Sequence, residues 1–323
     1  MSLRRHRRPE GTPRGPLTVN FRTPIPLLCG LLLLTGSILF SACTRPVCSG
    51  ASAYGNLGPG INSPWDDYAP VLPDSILLYY TSNRLDPEHT GLHERVLEFH
   101  PASLYRTLRL SDEWDSPLRI DLVRKEDRDV EIGATTFPPA GNRQGVLAYT
   151  TICNLPENQL WKGECEIVMV RGVEGEGRIS PVPGLNSEEW DAQPSATADG
   201  TRLYFASARE GGHGGSDIWY VDLGADGSWS RPQNAGPAVN TAGEELSPWV
   251  DPKTGRLYFA ATTEQGDYDI YVLDPDRTER TPLPAPYNST ASEITPFIIG
   301  DSFYVASDRP GGCGGYDLYR FSR

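Results

Sequence analysis

The octapeptides Arg202–Arg209 (RLYFASAR), Arg256–Thr263 (RLYFAATT) and Ser302–Arg309 (SFYVASDR) are copies of one another, and this repetition limits what the chain can become. Two weaker copies, Leu77–Arg84 (LLYYTSNR) and Val146–Cys153 (VLAYTTIC), precede them, and successive starts lie 69, 56, 54 and 46 residues apart. Each run is apolar, aromatic and β-branched over the length of one strand. After a polar or glycine-rich gap, a second strand is predicted at Arg95–Phe99, Glu166–Val170, Asp217–Val221, Asp269–Leu273 and Asp317–Phe321. Upstream of four copies, Asn62, Asn186, Asn240 and Asn288 each stand eight residues before a proline: Pro70, Pro194, Pro248 and Pro296. An acid sits three residues before each proline: Asp67, Asp191, Glu245 and Glu293. In the second unit Glu131 and Ala134 fill these places. Each unit thus reads as turn, acid, inner strand, aromatic strand, hairpin, third strand and outer strand. Four strands at such a period predict an all-β, five-bladed β-propeller.

The ends of the chain explain how the ring closes. The sequence stops at Arg323, just after the third strand of the fifth unit. Ala53–Asn62 (AYGNLGPGIN) matches Arg231–Asn240 (RPQNAGPAVN), the outer strand of the third unit with its turn. The N-terminal segment is therefore expected to supply the missing outer strand of the last blade and remove two open edges. The 33 glycines and 29 prolines suit short strands joined by turns rather than helices.

The first 42 residues read as a signal peptide. Six arginines precede the apolar run Pro26–Phe40, whose 15 residues would span roughly 22 Å as a helix, too short for the ~30 Å bilayer core. The junction Phe40-Ser41-Ala42-Cys43 resembles the lipobox of bacterial lipoproteins, with Phe40 in place of the usual Leu. That resemblance implies cleavage before Cys43 and lipid on Cys43. Thr44, rather than Asp, follows, which by the retention rule of such lipoproteins directs the chain to the outer membrane, facing the periplasm or the cell surface. The expected organisation is a signal peptide over 1–42, a lipidated linker over 43–52 and the propeller over 53–323. The mature chain keeps 23 basic and 41 acidic residues, a charge of −18, which argues against nucleic acid as a partner.

Cys48, Cys153, Cys165 and Cys313 remain after cleavage. Cys153 and Cys165 flank the hairpin of the second unit, so antiparallel pairing brings them together as a disulfide. Cys48 and Cys313 fall at opposite ends of a blade in the repeat alignment and are expected to be free unless the leader folds back.

The runs Ser307–Tyr319 (SDRPGGCGGYDLY) and Ser207–Tyr220 (SAREGGHGGSDIWY) resemble the WD-like propeller repeat of TolB, a periplasmic protein of the bacterial envelope. The resemblance implies the propeller fold over roughly residues 50–323, strongest in blades three to five. Fold does not fix function, since propellers host unrelated activities.

Among candidate sites, Asp67, Glu131, Asp191, Glu245 and Glu293 recur at the mouth of each inner strand. Facing the channel, they would form an acidic ring for a cation such as Ca²⁺ or for a basic partner. Facing sideways, each would tie down its own turn. The glycines of Gly211–Gly215 and Gly311–Gly315 read as hairpins rather than phosphate cradles, because a strand and not a helix follows. Asp217, Asp269 and Asp317 are expected to bond turn amides, with Arg84, Arg209 and Arg309 as salt partners. His89, His93 and His100 lie close in sequence but read as a surface loop rather than a metal site. Trp65, Trp190 and Trp249 fall in or beside the Asn-to-Pro turns and could offer a binding platform. No catalytic residues and no cofactor are assigned. The expected function is a lipid-anchored, non-catalytic envelope scaffold for a protein or glycan partner. Its alternatives are a glycan-acting hydrolase using two of the carboxylates and a structural subunit of an outer-membrane complex.

Overall fold

The computed structural model describes residues 54–85, 101–110, 113–122, 130–138, 147–153, 165–172 and 178–323, and every regular element among them is a β-strand. The first blade holds β1 (Asp67–Val71), β2 (Leu77–Ser82) and β3 (Ser103–Leu110), with two short outer pieces, β4 (Glu113–Trp114) and β5 (Leu118–Ile120), both paired with β3. The second holds β6 (Glu131–Thr136), β7 (Leu147–Cys153), β8 (Cys165–Arg171) and β9 (Arg178–Pro181). The third comprises β10 (Asp191–Ala196), β11 (Arg202–Ser207), β12 (Asp217–Asp222) and β13 (Gln233–Asn234). The fourth comprises β14 (Glu245–Val250), β15 (Leu257–Thr262), β16 (Tyr268–Leu273) and β17 (Thr281–Pro282). The fifth has β18 (Glu293–Ile299), β19 (Ser302–Ser307) and β20 (Asp317–Ser322). Every blade is an antiparallel meander, and the inner strands β1, β6, β10, β14 and β18 neighbour one another in that order around a closed ring. This is the five-bladed propeller that the repeat predicts.

The repeat strands are apolar almost throughout because both of their faces are covered: five of six residues are buried in each of β2, β15 and β19. Phe205 and Phe259 stand at the same place in β11 and β15, and both are fully buried. One hydrophobic cluster runs through blades three, four, five and one, a second joins blades one and two, and a third joins blades two and three. The core thus lies between blades rather than within one. Burying each such phenylalanine contributes roughly 1.5–3 kcal/mol.

The ring closes as the N-terminal match predicts. Asn56 bridges Tyr319 in antiparallel fashion, Leu57 N donates to Leu318 O, and Arg320 N donates to Gly55 O. Asn234 and Ala235 make the equivalent contacts in the third blade, to Trp219 and Ile218. Asn62 then grips Leu318, its amide accepting from Leu318 N at 2.8 Å and donating to Leu318 O at 3.0 Å. Asn186 clasps Ile167, Asn240 clasps Ile218 and Asn288 clasps Ile270 in the same way. The repeated asparagine is therefore an inter-blade clamp, and at Asn62 it joins residues 256 apart.

One strand differs from the sequence reading. The third strand of blade one is Ser103–Leu110, whereas Arg95–Phe99 lies outside the described residues. Ser82 pairs with Ser103 as Ser207 pairs with Asp217 and Ser307 with Asp317. The hairpin of this blade is longer, so the first apolar run after it was not the strand. The Leu104-Tyr105-Arg106 triplet, matching Leu318-Tyr319-Arg320, carried the signal.

Candidate functional site

Four of the five recurring acids are fully buried and tied to their own blades. Asp67, Asp191, Glu245 and Glu293 have no exposed surface. Each accepts from the backbone N–H and hydroxyl of the residue four positions earlier: Ser63, Ser187, Thr241 and Ser289. Each also faces an arginine. Arg84 pairs with Asp67 at 2.8 Å, Arg209 with Asp191 at 2.5 Å, Arg280 with Glu245 at 2.8 Å and Arg309 with Glu293 at 3.0 Å. The same guanidinium donates to a backbone carbonyl at the preceding turn: Ile61, Leu185, Val239 and Tyr287, respectively. Each arginine also lies over the aromatic residue two places into the third strand. Those centroid distances are 4.9 Å to Tyr105, 5.4 Å to Trp219, 4.5 Å to Tyr271 and 4.8 Å to Tyr319. Of the two arrangements open to these acids, the turn-tying one is present. The arginine partners expected for Asp217, Asp269 and Asp317 belong instead to the inner-strand acids, which lie directly across the sheet from the end of each aromatic strand.

Blade four keeps this arrangement by a substitution that sequence reading missed. Thr263 stands where the other strong copies have arginine, and Arg280, next to the outer strand, reaches the same acid from the other side. An arginine beside the outer strand of the one strong copy that lacks it was the available clue. Blade two uses a different bond. Cys153 and Cys165 occupy the places of Ser207 and Asp217, face each other across β7 and β8, and form the expected disulfide. Glu131, opposite Cys153, is half-buried, and burial raises its carboxyl above the ordinary range. The expectation for Cys313 is corrected: it is disulfide-bonded, to a cysteine outside the described residues. His89, His93 and His100 also lie outside the described residues. Among the described residues no group of three or more His, Cys, Asp or Glu is placed to hold a metal ion.

The glycine-rich hairpins are structural. Asp217 accepts from His213 N and Gly214 N, and Asp317 from Cys313 N and Gly314 N. A Cβ on Gly214 would strike the carbonyls of Thr241 and Gly243, and one on Gly314 those of Ser63 and Trp65. Each hairpin therefore lies backbone to backbone on the turn of the next blade. Blade four has the shorter hairpin and Pro282 in the place of Asn234, so Asp269 is left without these donors. Burial, then Glu293 and Asp267, push Asp269 up to about 6.

The lining of the central cavity is uncharged. Ala69, Pro70, Ala134, Gln193, Pro194, Ser247, Pro248, Trp249, Thr295, Pro296 and Phe297 are among the residues around a central cavity of about 50 Å³. None of the five acids lines it. Each inner strand carries a bulge here, between Tyr68 and Val71, Ile132 and Thr135, Ala192 and Ser195, Leu246 and Trp249, and Ile294 and Phe297. Within four of these bulges a residue other than glycine has positive φ: Ala69 at 52°, Gln193 at 55°, Ser247 at 53° and Thr295 at 53°. Such a conformation costs of order 1–3 kcal/mol per residue and persists only where surroundings enforce it. Here bonds between blades do so: Ala69 N to Thr295 Oγ1 at 3.1 Å, Gln193 N to Thr151 Oγ1 at 2.8 Å, and Ser247 N to Gln193 Oε1 at 2.8 Å. Ser247 Oγ is buried in the cavity wall and has no hydrogen-bond partner among the described residues. Of the three tryptophans singled out from sequence, Trp249 lines the cavity, edge-on to Phe297 at 5.5 Å. Trp190 packs against the core, and the carbonyl of Trp65 accepts from Gly315.

No protein-family model matches the chain, and no curated protein matches it. Among solved structures it is similar to a TolB from Agrobacterium tumefaciens, at 17% identity over 76% of this chain and 71% of that one, with a TM-score of 0.45. It is similar to TolB from Acinetobacter baumannii at 14% identity over 81% of this chain and 55% of that one, with a TM-score of 0.41. An endo-arabinase from Bacteroides thetaiotaomicron gives 11% identity over 81% of this chain and 98% of that one, with a TM-score of 0.48. The architecture of the chain is a five-bladed β-propeller.

Proposed function

We propose that this chain is a lipid-anchored envelope propeller whose axial cavity, of about 50 Å³, receives the tip of one uncharged, hydrogen-bonding side chain of a protein partner. The observation that carries the reading is Ser247 Oγ, a buried hydroxyl without a partner among the described residues, in an uncharged wall that also holds proline, threonine, glutamine, small apolar and aromatic side chains. Leaving such a group unsatisfied costs about 1–3 kcal/mol, which an incoming donor or acceptor recovers. Trp249 adds an aromatic face with bulk to bury. The basic start, the short apolar run and the Phe40-Ser41-Ala42-Cys43 junction support anchoring through Cys43 at the outer membrane.

The test is a comparative pull-down from detergent-solubilised envelope, read by mass spectrometry. A protein captured by the wild type and lost with Trp249→Ala, yet retained by Asp226→Ala on a remote turn, supports the reading. Equal capture by all three defeats it. Release of reducing ends from an envelope glycan, abolished by Glu245→Gln in a variant that remains folded, would favour the hydrolase instead. Metabolic labelling with a palmitate analogue should mark the wild type and not Cys43→Ser.

A further inference from the structure

We propose that the axial cavity is entered from the face opposite the hairpins, and that the partner's tip stands on an uncharged segment with an apolar shoulder; this deepens the binding role proposed above and rests on it. Each inner strand starts at the hairpin face with its acid and runs toward the turn that leads into the aromatic strand. In β14, Glu245 through Pro248 are buried, and Trp249 and Val250 are only half-buried. In β18, Glu293 through Pro296 are buried, and Phe297 and Ile299 are only half-buried. The level between the acids and the cavity is held by Ile132, Ala192, Leu246 and Ile294, all buried. Ser247, at 5% exposure, thus has closed levels toward the hairpins. Solvent reaches its wall from the other side, at Trp249, two residues and roughly 7 Å of strand away.

The wall on that side decides what fits. Trp249 and Phe297 meet edge-on at 5.5 Å, and Ile299 follows Phe297 on the same side of β18. No charged residue lines the cavity, and from there to their ends the inner strands add none. A charged tip would lose its hydration here without meeting a counter-ion, so the tip that fits is neutral. The aromatic and aliphatic rim gives the residues beside that tip apolar surface to bury. Beyond the rim, Asp74 accepts from the amides of Ile76 and Leu77, Asp199 from that of Thr201, and Asp251 pairs with Arg323 at 3.0 Å, while Asp301 is exposed. The hairpin face is the poorer fit. Glu188, Glu189, Glu210 and Glu264 are exposed there, and apolar contact would strip their water.

Two measurements on the full chain test this. Ser247→Cys places a thiol in the cavity, and its rates of reaction with a cationic and an anionic methanethiosulfonate of similar size are followed by peptide mapping. Adding Ile299→Lys at the far mouth should slow the cationic reagent relative to the anionic one by about threefold or more, and Glu189→Lys at the hairpin face should change that ratio less. Pro73→Lys, in the exposed turn after β1, is the second placing should Ile299→Lys not fold. A larger change from Glu189→Lys, or no reaction at position 247 in the folded protein, overturns the entry face. A photo-crosslinking amino acid is then placed at Ile299 or at Glu189 in the envelope. The protein whose capture depends on Trp249 should be joined from position 299, through a segment without charged residues next to the crosslink. No adduct from position 299, or a joined segment dense in Lys, Arg, Asp or Glu, overturns the proposed partner. Reagent entry at the far mouth with capture unchanged in Trp249→Ala would defeat the binding role while leaving the entry face standing.

Discussion

Arg280 donates to Glu245 at 2.8 Å from beside the outer strand of blade four, filling the place that Arg84, Arg209 and Arg309 fill from the end of the aromatic strand. The carboxylate is fully buried, so its charge depends on that guanidinium and on the amide and hydroxyl of Thr241. Arg280→Ala should lower stability by about 3–5 kcal/mol, because it leaves a buried charge without its partner. Adding Thr263→Arg should restore part of the loss, since that position supplies the arginine in three other blades. Melting curves of wild type, single and double variants check this.

The Cys153–Cys165 bond, between residues 12 apart, stands in blade two where blades three and five have serine opposite aspartate. Replacing both cysteines by serine should cost roughly 2–3 kcal/mol. Hydrogen exchange should locate the loss in β7 and β8 before any other blade. Uniform loss of protection around the ring would contradict this.

Asn62 makes at the ring closure the contacts that Asn240 makes inside the continuous chain. Asn62→Ala strips Leu318 of both partners at a buried site, which costs about 1–3 kcal/mol. It should also open the fifth blade, so exchange at β20 should accelerate more than exchange at β12 does in Asn240→Ala.

Asp269 and Asp317 are both held near 6, chiefly by burial. A carboxyl whose folded value lies above its unfolded value favours the protonated folded state. Its contribution is therefore fully present below the unfolded value of about 4 and is lost as pH rises through 6. Stability should accordingly rise as pH falls from 7 toward 5. Asp269→Asn should raise the melting temperature at pH 7 and flatten this dependence, because Asp269 lacks the amide donors of its counterparts. A variant that melts lower at pH 7 would show that Asp269 holds structure instead.

Ser247→Ala removes the unsatisfied hydroxyl while keeping the Cβ. Stability should stay level or rise, since no hydrogen bond is lost, while capture of the partner should fall. A substantial drop in melting temperature would mean that the hydroxyl already serves the fold.

The sequence by itself determined the number of blades, the meander in each, the Cys153–Cys165 bond and the use of residues near Asn56 to close the ring. All of these follow from local periodicity and from copies that can be laid over one another. It also held the acids, but not their direction. Whether Asp191 points along the axis or sideways depends on where Arg209 and Ser187 lie, and those contacts form only when neighbouring strands and turns pack. Arg280 was illegible for the same reason: it stands in for Thr263 across a sheet, not along the chain. The uncharged cavity lining was likewise decided by tertiary structure. Bulges in four of the five inner strands turn Ala69, Gln193, Ser247 and Thr295 to positive φ, and bonds between blades hold the amides of the first three in that strained geometry.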